Sequence, residues 1–158
     1  MGEVAGGMTV MDEKNIIKEV KNIVGGDGDR DSKLKDVCLL LHNELDGYDW
    51  VGFYLVEDGE LVLGPYIGEP TEHTNIDFGE GVCGQAAERE ETFSVNDVDQ
   101  EDNYLSCSPR VESEIVVPIF KKGEIVGELD IDSHVKSRFS EEDENVLEEI
   151  AGMVAKIL

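Results

Sequence analysis

Apolar residues recur at helical spacing in the first third of the chain. From Asp12 onward, Ile16, Ile17, Val20, Ile23 and Val24 form one stripe, which stops at Gly25-Gly26. The acidic turn GGDGDRD follows. A second stripe (Leu34, Val37, Cys38, Leu41 and Leu45) predicts a helix over 31–45. Cys38 lies on it and reads as a small buried hydrophobe. The period then changes. WVGFYLV (50–56), the turn EDG and ELVLGPYIG read as a β-hairpin. GEGVCGQAAERE reads as a glycine turn entering a short helix, and ETFSVNDV as a short strand and turn. After the loop DQEDNYLSCSPRVE come two strong strands, SEIVVPIF and EIVGELDID, joined by KKG. Ser140 and Asp143 form an S-x-x-D capping signal for a last helix that buries Val146, Leu147, Ile150, Val154 and Ile157. The order ααββ–α–βββ–α, with hairpins in place of βαβ crossovers, predicts an α+β fold with a mainly antiparallel sheet.

Composition narrows the partners. The 158 residues suit one domain, expected over 12–158 behind a loosely ordered leader, 1–11. Thirteen Lys and Arg against 37 Asp and Glu give 13 − 37 = −24. Such a field repels phosphate backbones and anionic lipid, so neither nucleic acid nor membrane is an expected partner. The N-terminus lacks the pattern of a secretory signal, and three cysteines without a C-x-x-C argue against a disulfide framework or zinc knuckle. A cytoplasmic protein with free thiols is expected, needing no cofactor or metal.

Three groups of residues carry candidate chemistry. Alternation puts Trp50, Gly52 and Tyr54 on one face of their strand, with Val51, Phe53 and Leu55 on the core face. The aromatic pair is either a second core layer or a wall with a hollow over Gly52 for a soft apolar group. Asp130 and Asp132 share a face of the last strand. An odd connection, Lys121-Lys122-Gly123, sets Glu114 across from Asp130 on that face, whereas an even one puts it on the opposite face. These acids are either solvated or a receptor for an ammonium group. Cys83, between glycines at a helix start, is expected to have a lowered pKa. Cys107 lies in the polar loop YLSCSPR with Arg110 three residues on, and reads as reactive.

In order, WVGFYL, LVLGPYIG, GEGVCGQA, SC-x5-SEIVVPI, GELDIDS and RFSEED closely resemble the GAF-domain enzymes called free methionine-(R)-sulfoxide reductases. The resemblance runs from about Asp31 to the C-terminus. It implies a six-stranded antiparallel sheet flanked by helices, a homodimer, and reduction of free methionine sulfoxide by a thiol recycled by thioredoxin. It makes Cys107 the attacking thiolate. It also assigns Glu114, Asp130 and Asp132 to the substrate's amino group, and Trp50 and Tyr54 to the wall around its sulfur end.

One departure stands out. The family's usual resolving cysteine, ten residues before that of GVCG, is His73 here, which leaves Cys83 as the candidate resolver by elimination. A non-catalytic GAF module that binds a small ligand is the competing function. A metal site of His73, Cys83 and Cys107 is disfavoured by spacings unlike the usual ligand pairs.

Overall fold

The structure, a computed structural model, describes residues 12–105 and 108–158. The expected leader, 1–11, and Cys107 lie outside the described residues.

Helix α1 is Glu13–Gly25 and α2 is Arg30–Glu44. Each is started by an aspartate whose side chain accepts from a first-turn N–H: Asp12 from Asn15, and Asp29 from Ser32. The strands are β1 (Trp50–Glu57), β2 (Glu60–Ile67), β3 (Asn75–Asp77), β4 (Phe93–Val95), β5 (Ser113–Lys121) and β6 (Glu124–Ser133). Helix α3 (Gly81–Arg89) falls between β3 and β4. Helix α4 (Glu141–Val154) closes the fold, and its capping box is formed by Ser140 and Asp143. The six strands make one antiparallel sheet in the order β3-β2-β1-β6-β5-β4. The α+β expectation holds. The residue pattern alone missed β3, whose three residues with one buried side chain, Ile76, are too few to show alternation.

Both faces of the sheet are covered. Val51, Phe53, Leu55, Ile115, Val117, Leu129 and Ile131 meet α1, α2 and α4 on one face, where Cys38 is buried as expected. On the other face Trp50, Tyr54 and Val116 pack with α3. Among the described residues no helix is long and apolar enough to cross a membrane.

The β5–β6 hairpin sets the register of the site. Its turn is two residues, Lys122-Gly123, both at positive φ (55° and 80°), with Lys121 paired to Glu124. An even turn alone would put Glu114 on the face opposite the aspartates. A register shift between Ile119 and Phe120 adds one residue, Val126, to β6 and restores the parity. Glu114 therefore stands directly across from Asp132, not Asp130.

Candidate functional site

The aromatic wall begins with Trp50. Its indole N–H donates to the Glu69 carbonyl at 2.9 Å, and Tyr66 stacks on it at 5.3 Å between centroids. The hollow expected over Gly52 is filled by Trp50 itself, since a Cβ there would meet the ring at 2.5 Å. Gly68, at φ +131°, lies against the other edge of the ring, where a Cβ would meet it at 2.6 Å. Tyr54 points its hydroxyl to the His73 carbonyl at 2.8 Å. Both aromatics are buried and belong to the apolar cluster beneath α3.

Beside them runs a row of acids. Register places Asp132 next to Trp50, Asp130 next to Gly52 and Glu128 next to Tyr54, with Glu114 arriving from β5. The solvated reading of this face fails: relative exposures are 5% for Glu114, 0% for Glu128, 2% for Asp130 and 1% for Asp132. Glu128 was not among the residues expected here, although its spacing of two and four from the aspartates signals the shared face. Burial pushes the carboxyls of Glu128, Asp130 and Asp132 above their ordinary range, and the nearby Asp130 charge adds to this for Glu128 and Asp132. Hydrogen bonds with Glu114 pull back against it for both aspartates. Both oxygens of Glu128 and one oxygen of each aspartate are fully buried without a formed hydrogen bond. Acids so placed are stable when protonated or when a cation enters.

Cys83 lies over this row, in the first turn of α3. The lowered pKa expected from the helix N-terminus is not found: burial pushes the thiol well up, and Asp130, Glu114, Glu128 and Asp132 push in the same direction. The Gly81 N–H at that terminus is already committed to the Asn103 side chain at 2.9 Å. The Cys83 sulfur and one oxygen each of Glu114 and Asp130 lie within 4.8 Å of one another, a spacing that can enclose a small cation such as an ammonium.

The segment before Cys107 is tied to the same turn. Asn103 donates to the Gly79 carbonyl, and Gln85 donates to Gly81, Glu101 and the Asn103 carbonyl. Gly81, at φ +66°, lets Leu105 approach its Cα, since a Cβ would meet Leu105 at 2.8 Å. On the far side of Cys107, Ser108 and Arg110 both bond Glu69. A cavity of about 160 Å³ opens there, lined by Trp50, Glu69, Ser108, Arg110, Asp132 and His134 among others. Of the expected site residues it touches Trp50 and Asp132. Tyr54, Cys83, Glu114 and Asp130 do not line it, and Cys107 lies outside the described residues. A larger hollow of about 510 Å³ between α1 and α4 has neither a thiol nor a buried acid in its wall.

Residues 29–158 match the GAF domain family. The free methionine-R-sulfoxide reductase of Escherichia coli is 41% identical over 125 residues, covering 79% of this chain and 75% of the relative. The X-ray structure of the Neisseria meningitidis free methionine-R-sulfoxide reductase with its substrate superposes with a TM-score of 0.88 at 35% identity, over 95% of this chain and 92% of that one. The Staphylococcus aureus counterpart with substrate gives 0.86 at 37% identity, over 96% and 99%. With a GAF match across most of its length and relatives of this similarity, the chain belongs to the free methionine-R-sulfoxide reductase family of GAF-domain proteins.

Proposed function

We propose that the chain reduces free methionine (R)-sulfoxide to methionine through two cysteines. The observation that carries this reading is the buried row of Glu114, Asp130 and Asp132 beside Trp50. It is a nest of buried acids next to an aromatic surface, and suits the ammonium and sulfur ends of one small amino acid. The named relatives and the substrate-bound structures of similar fold support the same activity.

In this mechanism the Cys107 thiolate attacks the sulfoxide sulfur. Its oxygen is made a leaving group by a proton from one of the buried carboxyls, which burial keeps neutral. The S–S bond formed by the attack then breaks as the hydroxyl passes from the sulfoxide sulfur to Cys107, so methionine leaves with a reduced sulfur and Cys107 keeps the oxygen as a sulfenic acid. Cys83 then closes a disulfide with Cys107, releasing water, and a dithiol reductant such as thioredoxin restores both thiols by exchange. The working species is a cytoplasmic protein that pairs as a homodimer, and sedimentation of the purified protein tests the pairing directly.

The activity is tested by thiol-dependent turnover of the free R epimer, with the S epimer and a peptide-bound sulfoxide as controls. Turnover is expected only for the first. Binding of the R epimer without turnover, even with dithiothreitol, would make the chain a ligand-sensing module. The Cys83 assignment has its own assay. Given one equivalent of substrate, Cys83→Ser should release methionine and stall as a sulfenic acid, and normal cycling with thioredoxin would remove Cys83 from the pathway.

A further inference from the structure

Glu128 is the one buried acid of the row that the mechanism above leaves without a task. It is fully buried on β6, two residues before Asp130 and four before the cavity-lining Asp132. Its neighbours across the sheet make no hydrogen bond to it. Tyr54 has given its hydroxyl to the His73 carbonyl, and Pro118 has no N–H. Both Glu128 oxygens are therefore uncommitted, and the polar group that its carboxyl faces is the Cys83 thiol. The same thiol also meets Asp130, which contacts Glu114, which in turn contacts Asp132 at the cavity. The sulfur thus sits between a dead-end acid on one side and a chain of carboxyls leading outward on the other.

We propose that Glu128 is a positioning residue for Cys83, its neutral carboxyl donating a hydrogen bond to the sulfur while the thiol passes its proton to Asp130. The inference rests on the reading of Cys83 as redox-active. A thiolate formed in this interior is cut off from solvent, and the titratable groups facing it, Glu114, Asp130, Asp132 and Glu128, are all acids. A protonated carboxyl is the donor that this surrounding can supply, as a backbone N–H supplies an oxyanion elsewhere. The step balances. The Cys83 S–H proton moves to Asp130 and on toward the cavity, the S–S bond forms as the S–O bond of the Cys107 sulfenic acid breaks, and that proton leaves with the hydroxide as water. Cys83 is oxidised and the Cys107 sulfur reduced.

The experiment compares the full chain with Glu128→Gln, which keeps a donor, and Glu128→Met, which keeps the volume without one. After one equivalent of methionine (R)-sulfoxide, methionine release and loss of dimedone-trappable sulfenic acid are followed together, with Cys83 bonding read by mass analysis. Relative to methionine release, closure should stay within about twofold of wild type for Gln and slow by about tenfold or more for Met, the size expected for a hydrogen bond to a charged group. In parallel, the pH at which Cys83 is alkylated by iodoacetamide should rise for Met and stay put for Gln. Closure as fast in the Met variant as in wild type, or as slow in Gln as in Met, overturns the proposal. If wild type releases methionine yet forms no bond to Cys83, the recycling reading fails separately. The alkylation profile then decides, and an unmoved profile in the Met variant overturns Glu128's role.

Discussion

Trp50 is held from both sides by residues that lack a side chain. Gly52 lies under the six-membered ring and Gly68 against the pyrrole edge, and Tyr66 covers the stack. Gly52→Ala would press a methyl into the ring at 2.5 Å and into the Tyr66 Cβ at 2.7 Å, so Trp50 must move. The expected cost is about 1–3 kcal/mol in a denaturant titration, with a shifted tryptophan emission and a raised KM for the sulfoxide. An unshifted emission spectrum would show that the ring has room to spare. At this scale the sequence was informative where strict alternation operates: Asp130, Asp132, Trp50 and Tyr54 share a buried face, as their parity requires. Glu128 obeys the same parity, and nothing local to the strand separates a buried acid from a solvated one. The Trp50–Tyr66 stack was not legible, since it depends on how β1 meets β2 across a register shift between Gly52 and Tyr54. The Cys83 thiol went the opposite way from its local signal. One helix terminus favours the thiolate, and burial first, then four neighbouring carboxyls, outweigh it.

Among the elements, α4 is the most explicitly specified. Ser140 accepts from the Asp143 N–H while the Asp143 carboxylate accepts from the Ser140 N–H, and that carboxylate also receives Tyr48 and Arg138. Ser140→Ala should cost about 0.5–2 kcal/mol, measurable as a lower urea midpoint with activity per folded molecule unchanged. A loss of specific activity would mean that α4 communicates with the site through the sheet. The β5–β6 hairpin shows where element-level reading runs out. Turn length alone does not fix which face Glu114 takes, because the two-residue turn and the extra residue at Val126 act together. Turn chemistry (Lys122-Gly123 and Asp58-Gly59 at positive φ) is written locally in the residues, whereas the bulge answers to packing on both faces of the sheet. β3 is likewise made by its neighbours: Ile76 finds its place beside Leu61, and nothing in its three residues demands a strand.

At the level of the whole molecule, charge decides how stability responds to solvent. A net charge of −24 repels itself across the surface, and the Debye length falls from about 30 Å at 0.01 M salt to about 3 Å at 1 M. The melting temperature should rise steadily with KCl over that range, and a flat response would place the acids in local pairings instead of a common field. Proton linkage has two opposed parts. Glu128, Asp130 and Asp132 have raised carboxyl pKa values, so their stabilising contribution is complete below the ordinary carboxylate value of about 4 and is lost as pH rises through the raised values. Burial would raise Asp143 too, but hydrogen bonds from Ser140 and Tyr48 and the Arg138 charge hold it low, so its contribution disappears only as pH falls through that lowered value. The chain should therefore resist urea better at about pH 5.5 than at about pH 8, and Glu128→Gln should flatten that difference. An unchanged slope in the variant would assign the effect to the other acids, Asp130 and Asp132 or those of the surface. The sheet that carries these acids also divides the protein into two apolar clusters, one against α1, α2 and α4 and one around the site. That partition gives the fold mutational insulation: ligand preference can drift on one face while the other face goes on supplying the fold's stability, the kind of architecture from which a scaffold diversifies without first having to become more robust.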